Sequence, residues 1–252
     1  MAVVVCCHTE EPLIKKAQLL AQRLMWPLVT HMPMTDDWLL LVESDYLALS
    51  LPQFKPLYVN FKEGRQAYRL HHVNQEQLVK ACKVKNLHRP LTIIDATAGL
   101  GKDALLLAAS GANVVMLEQK PVLACLLEDL VARLLQSEWA FALSVQQTNS
   151  VDYLTALNPS KWPDVIYLDP MFDHDLSKTA LVKKDLQMLH VLNSPPTLEE
   201  QQVLLTIARQ RALHKVVVKR ARLAPPLAEV KPHYQLLGSH SRFDVYLSET
   251  RD

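Results

Sequence analysis

Apolar positions fall into short runs along this chain, and their spacing changes at a polar connector near residue 85. Val3 to Cys7 is an apolar run of strand length. From about Pro12 to Met25, Leu13, Ala17, Leu20, Ala21 and Leu24 recur on one face, which predicts a helix with Pro12 in its first turn. "WLLLVESDYLALSL", "PLYVNF" and "RQAYRLHHV" read as proline-punctuated stretches of β type, and Gln75 to Val84 as a short helix. The polar, proline-terminated "KNLHRP" then marks a boundary. It separates a smaller N-terminal α+β subdomain, residues 1–85, from a second domain, residues 86–252.

Beyond the connector, strands alternate with helices. "LTIIDA", "NVVML", "FALSVQQ" and "PDVIYLD" are four successive strands, "KVVVKR" is a fifth, and "HYQLL" with "RFDVYLS" around Gly238 is a closing hairpin. Between them, Lys102 to Ala109 is helical up to Gly111. Pro121 opens a helix carrying Leu123, Leu126, Leu127, Leu130 and Leu134 at helical spacing. Thr179 to Leu192 is a further helix, and Thr197 with Glu200 forms a capping box for another, reaching Leu213. This alternation predicts an α/β fold, a mostly parallel seven-stranded sheet with helices on both faces.

Composition narrows the class without fixing it. The chain has 252 residues and is 49% hydrophobic, enough for one large core or a core with a smaller companion. Its 27 Lys and Arg nearly cancel 26 Asp and Glu, so only the distribution of charge can speak for a nucleic-acid partner. The four cysteines form no C-x-x-C pair, and Cys125 sits among apolar helix residues as core packing. We expect reduced thiols in a soluble, cytoplasmic protein. No stretch reaches the roughly 18 apolar residues of a membrane span. His71 and His72 are adjacent, which does not suit chelation, and no Cys/His/Asp group has metal-ligand spacing, so no metal is expected.

Three of the five glycines lie between Ile93 and Pro121. In open α/β sheets ligands bind beyond the carboxyl ends of the strands, where strand order reverses. "DATAGLG" follows the first strand of the second domain, where Gly99 and Gly101 permit a sharp turn and close approach of backbone to ligand. Nineteen residues after Gly99, Glu118 ends the second strand, where a carboxylate can accept both hydroxyls of a ribose. Tight turns also use glycine, and strand-end carboxylates are commonly just solvated. It is their joint occurrence at this spacing that favours a nucleoside-type cofactor. A phosphate-binding loop is excluded, because Ala96 stands where its first glycine belongs and Asp103 follows Lys102. With Ala104 in the third position, NAD is not excluded by the loop alone.

The fourth strand decides between these. "DVIYLDPMFDH" places Asp169, Pro170, Met171 and Phe172 at the crevice. The stretch resembles the Asp/Asn-Pro-Pro-Tyr/Phe motif of S-adenosylmethionine-dependent methyltransferases that modify exocyclic base amines. Such an amine is a poor nucleophile, its lone pair being delocalised into the ring. An Asp169 carboxylate and the Pro170 carbonyl, each accepting one N–H, can turn that lone pair towards a methyl donor, while Phe172 stacks on the base.

With "DATAGLGKDALLLA", "MLEQKPVLACLLEDLVARL", "VIYLDPMF", "SKTALVKKDLQ", "KVVVKRARLAPPLA" and "SRFDVY" in order from about Ile93 to Tyr246, the chain resembles the RsmJ family of bacterial 16S ribosomal RNA guanine-N2 methyltransferases. Before residue 85 the likeness is loose, through "YVNF" and the short helix after it. The resemblance implies a Rossmann-like class I fold, S-adenosylmethionine as methyl donor, and guanine 1516 of 16S ribosomal RNA, naked or in the small subunit, as target. It carries cofactor contacts onto Lys102, Asp103, Glu118, Gln119, Asn149, Ser150 and Asp169, beside Asp95, Gly99 and Gly101 of the loop. Asn149 departs from the small hydroxyl residue expected there. Met171 departs from the general amine-methyltransferase motif, though not from this family's expected pattern. Rival readings are a nicotinamide-dependent oxidoreductase, a non-catalytic RNA-binding module, and methylation of another RNA or a small molecule.

Basic residues are unevenly placed. Lys178, Lys183 and Lys184 follow the Asp169 loop, and Lys215, Lys219, Arg220 and Arg222 cluster on and after "KVVVKR". Together they predict a positive collar for an RNA backbone, with Lys178, Lys183, Lys184, Lys219 and Arg220 as RNA contacts. Lys219 and Arg220 directly follow an apolar strand, so one of the two has the sheet as its alternative direction.

Overall fold

In the computed structural model, which describes residues 2–51, 54–139, 141–170, 192, 194–239 and 241–249, the two halves of the chain build separate sheets over a shared core. Strands β1 (Val3–Val5), β2 (Leu28–Val29), β3 (Leu39–Val42) and β4 (Leu47–Ser50) form a four-stranded sheet in the order β2-β1-β3-β4. The β3/β4 pair is an antiparallel hairpin, whereas β1 runs parallel to both its neighbours. Helix α1 (Glu11–Leu24) has Pro12 in its first turn and buries Ala17, Leu20 and Leu24, the face its spacing predicts.

Two stretches expected as β differ. In "PLYVNF", Leu57, Val59 and Phe61 are buried in strict alternation, but only Leu57 bridges to a strand, at Leu49. "RQAYRLHHV" lies mostly in helix α2 (Gly64–His71). Its Tyr68/Leu70 alternation is too short to fix a period, and side-chain bonds favour the helix. Gln66 donates to the Lys102 carbonyl at 2.8 Å, and Arg69 makes a two-pronged bond to Glu76, both arms 2.9 Å. Helix α3 (Gln77–Cys82) then leads to the connector.

Strands β5 (Thr92–Asp95), β6 (Asn113–Glu118), β7 (Leu143–Gln147), β8 (Val165–Leu168), β9 (Lys215–Ala221), β10 (Tyr234–Leu237) and β11 (Ser241–Leu247) form the predicted seven-stranded sheet. The order is β10-β11-β9-β8-β5-β6-β7. It is parallel from β9 to β7, with β11 antiparallel to both β9 and β10. Strands of unbroken apolar sequence are buried on both faces, as β8 shows with all four residues inaccessible. Helices α4 (Lys102–Ala109), α5 (Pro121–Leu135), α6 (Ser150–Ala156) and α7 (Leu198–Arg211) supply the cover. Thr197 and Glu200 form both bonds of the capping box that opens α7. The helix expected from Thr179 to Leu192 lies outside the described residues, apart from Leu192.

The chain runs from β5 to β6 and β7 on one side, then returns to β8 and β9 on the other. The strand order therefore reverses beside β5, and a crevice opens at the carboxyl ends of β5, β6 and β8. The N-terminal sheet is fastened to this body by Asp129 of α5, which is buried. It accepts from Lys16 Nζ at 2.9 Å, from the Leu47 amide at 3.1 Å and from Arg133 at 2.8 Å. Cys125, on the same helix, is in the core as expected.

Candidate active site

The crevice begins where β5 ends at Asp95. The Thr97 amide donates to Asp95 Oδ1 at 3.1 Å and starts the turn that "DATAGLG" makes. Both glycines adopt positive φ, +54° at Gly99 and +70° at Gly101, but they serve different ends. A Cβ on Gly99 would meet only the Thr97 carbonyl, at 3.9 Å. A Cβ on Gly101 would lie 2.7 Å from Leu127 Cδ2 and 3.0 Å from Met116 Sδ, so Gly101 lets the start of α4 close onto α5 and β6. Gly99 thus borders open space on the cavity side, whereas Gly101 serves close packing.

Glu118 ends β6 as the sequence predicts. One of its oxygens accepts the Gly99 amide at 3.1 Å and the other the Lys120 amide at 2.8 Å. Burial raises its pKa above the usual carboxylate range, against the opposing pull of those two N–H groups. Each oxygen keeps further lone-pair capacity, so a held Glu118 can still accept from a diol.

Glu118 lines a cavity of about 570 Å³, within the range of small-molecule sites. Gly99 and Gln119 border it on the same side, Asn149 and Ser150 at the start of α6, and Asp169 and Pro170 at the end of β8. Asn149 is the N-cap of α6, its Oδ1 accepting from Val151 N at 2.8 Å and Asp152 N at 3.3 Å. That role accounts for an asparagine where a hydroxyl residue was expected. Its Nδ2 donates to Gln119 Oε1 at 3.4 Å, and Ser150 Oγ donates to the Ala96 carbonyl. The first turns of α7 supply the remaining wall through Glu199, Glu200 and Val203; of these the sequence singled out only Glu200, and as a helix cap rather than as part of a site. A nucleoside fits this donor and acceptor set: a diol acceptor in Glu118, apolar Leu117 and Val151 beside it, and carboxylates for a cationic group.

Behind the cavity lies a cluster of charges. The Asp169 amide donates to Thr97 Oγ1 at 2.6 Å, tying β8 to the glycine loop. Lys219 Nζ donates to Asp169 Oδ2 and to Asp103 Oδ2, both at 2.7 Å. Tyr167, fully buried, donates its hydroxyl to the same Asp103 oxygen at 2.7 Å, and Arg69 of α2 stands 3.5 Å from Oδ1. Burial alone would lower the pKa of Lys219, but the charges of Asp169 and Asp103 outweigh it and hold the ammonium well above its ordinary value. Burial would likewise raise that of Asp103, yet Lys219 and Arg69 keep it below the usual carboxylate range. Asp95, buried with Asp103 and Asp169 nearby, is pushed up to about 8, against the opposing Thr97 N–H bond and Lys219 charge.

Several expected site residues take other places. Asp95, Gly101, Lys102 and Asp103 are not among the described residues lining the cavity; Asp103 belongs to the charge cluster behind it. The basic collar expected on and after β9 is reduced, because a central strand is covered on both faces. Arg220 is 3% exposed and donates to the Pro225 carbonyl, Lys215 is buried against the Lys83 carbonyl, and Lys219 turns into the cluster. Only Arg222 of these four is exposed. Met171, Phe172, Lys178, Lys183 and Lys184 lie outside the described residues. Among the described residues there is no group of three metal-ligating side chains.

Comparison with known proteins agrees with this fold. The family model for SAM-dependent methyltransferases matches residues 22–248. The chain is 42% identical over 239 residues to the ribosomal RNA small subunit methyltransferase J of Alkalilimnicola ehrlichii, covering 91% of this chain and 90% of that protein. It is 38% identical over 254 residues to the protein of the same name from Thioalkalivibrio sulfidiphilus, covering 96% of each. Among solved structures, a SAM-dependent methyltransferase from Neisseria gonorrhoeae superposes with a TM-score of 0.75 at 30% identity, covering 100% of this chain and 98% of the other.

Proposed function

The chain belongs to the family of SAM-dependent methyltransferases that contains the ribosomal RNA small subunit methyltransferases J, and from that premise we propose that it methylates the exocyclic N2 amine of guanine 1516 in 16S ribosomal RNA. The observation that carries this reading is the placing of Glu118 and of Asp169 with Pro170 on one cavity. When bound, S-adenosylmethionine supplies a methyl group activated by a sulfonium centre. Glu118 would accept from the ribose hydroxyls, and Gly99 would leave room for the ligand beside it. Asp169 and the Pro170 carbonyl would each accept one N–H of the guanine amine and so hold its nitrogen oriented for alkylation. No strong base is needed, since the nitrogen becomes acidic only as it is alkylated and its proton then leaves readily. Phe172 fits this scheme as the stacking surface for the base.

Residues 1–85 form, in this reading, a smaller subdomain docked on the catalytic domain through Asp129 and the shared core. The enzyme works in the cytoplasm on 16S RNA or the small subunit. Among the described residues no helix is long and apolar enough to cross a membrane. An oxidoreductase reading gives no use to an Asp-Pro pair at the cavity. The test is incubation of unmodified 16S RNA or small subunits with the protein and S-adenosylmethionine, followed by mass mapping. The expected product is one methyl group at guanine 1516, and transfer only to a small molecule would overturn the RNA assignment.

A further inference from the structure

Lys219 is the one expected RNA contact whose described position explains something else. Leu168 of β8 pairs with Val218 of β9, so the next residues, Asp169 just past the end of β8 and Lys219 still within β9, stand side by side. The Lys219 side chain is 31% exposed and that of Asp103 13%, whereas Asp169 is 39% exposed and lines the cavity. The ammonium thus has a largely covered anchor on one side and the open carboxylate on the other. The anchor is itself fixed, because Tyr167 donates to the Asp103 oxygen that Lys219 uses, and Arg69 approaches the other. A lysine with both carboxylates at 2.7 Å has its charge committed to them, which is a poor arrangement for gripping a phosphate backbone.

We propose that Lys219 is a positioning residue for methyl transfer: anchored by Asp103, it fixes the orientation of the Asp169 carboxylate that receives the target amine. The proposal rests on the assignment of Asp169 as amine acceptor. It assigns to a partly buried ion-pair chain, Arg69–Asp103–Lys219–Asp169, the task of presenting one carboxylate edge to the substrate. A strand-end carboxylate without such a partner would sample several rotamers, and a displacement of about 1 Å at a reacting centre can cost about a hundredfold in rate.

The experiment compares wild type, Lys219→Met and Lys219→Arg in two arms. In the first, steady-state methylation of 16S RNA separates kcat from the KM for RNA. Lys219→Met is expected to lower kcat by about tenfold to a hundredfold with little change in that KM, and Lys219→Arg to recover part of the rate. In the second, the Asp169 carboxyl is titrated by carbon-13 NMR in the ligand-free protein, assigned by its loss in Asp169→Asn. Its midpoint is expected to rise by at least about one pH unit in Lys219→Met, because the adjacent cation is gone. A raised KM with kcat preserved would return Lys219 to the RNA backbone, and an unmoved Asp169 midpoint would equally overturn the proposal. If Lys219→Met does not fold, Lys219→Arg decides: a near-normal Asp169 midpoint with partial rate supports the role, and a full rate contradicts it. The NMR arm needs no RNA, so a wild-type protein that fails to methylate 16S RNA would count against the proposed function while Lys219 is still tested.

Discussion

Glu118 holds the Gly99 amide at 3.1 Å, so the carboxylate that closes β6 also fixes the glycine loop that follows β5. The proposed cofactor acceptor and the loop brace are one residue. Glu118→Ala removes a charge-assisted acceptor worth about 1.5–3 kcal/mol, and the dissociation constant for S-adenosylmethionine is expected to rise about ten- to a hundredfold. Calorimetric titration measures this directly. An unchanged constant would remove Glu118 from the cofactor site.

The two loop glycines should separate experimentally. Gly101→Ala adds a Cβ 2.7 Å from Leu127 at a backbone angle that already disfavours it, and should cost at least about 2 kcal/mol of stability. Gly99→Ala meets no such neighbour. It should cost about 1–2 kcal/mol of backbone strain and act mainly on cofactor affinity. Chemical denaturation beside cofactor titration distinguishes the two, and equal losses in both would contradict the division of roles.

Asp95 gives a pH dependence of defined sign. Its carboxyl titrates near 8 in the folded protein, against an unfolded value near 3.8, so the native state holds a proton that the unfolded chain has released. Its contribution to stability is present at low pH. That contribution falls as pH rises from about 4 to about 8 and is flat above. Asp95→Asn keeps an acceptor for the Thr97 amide but cannot ionise. Thermal unfolding from pH 5 to pH 8.5 should show the variant gaining on wild type with rising pH. A constant difference across that range would contradict a buried, protonated Asp95.

The central strands were legible because their apolar runs are nearly unbroken: "VIYL" and "VVV" have no solvent face to alternate with, whereas the edge strand β7 keeps polar positions. Glu118 and Asp169 were legible for a related reason, since strand ends in such a sheet are where ligand-facing groups must stand. The role of Lys219 was not legible. It depends on the β8–β9 register and on Asp103, 116 positions away in sequence, and nothing local distinguishes it from a solvated lysine. Arg220 misled for the same reason, as charge in the sequence carries no record of the Pro225 carbonyl it bonds. Helix α2 was misread because eight residues with one buried side chain contain too little pattern, and contacts to Lys102 and Glu76 decide its shape.

Asp169→Ala removes the proposed acceptor for the target amine while leaving Lys219 its bond to Asp103. Circular dichroism should show an intact fold, and methyl transfer should fall by at least about a hundredfold. Near-normal turnover would mean that the amine is held elsewhere.

The most direct measurement is mass mapping of 16S RNA after reaction with S-adenosylmethionine and either the wild-type protein or Asp169→Ala. The account expects a single methyl group on the exocyclic amine of guanine 1516 with wild type and none with the variant. Methylation at a ring atom or another base, or equal modification by both proteins, would contradict the claim that one cavity brings donor and amine together.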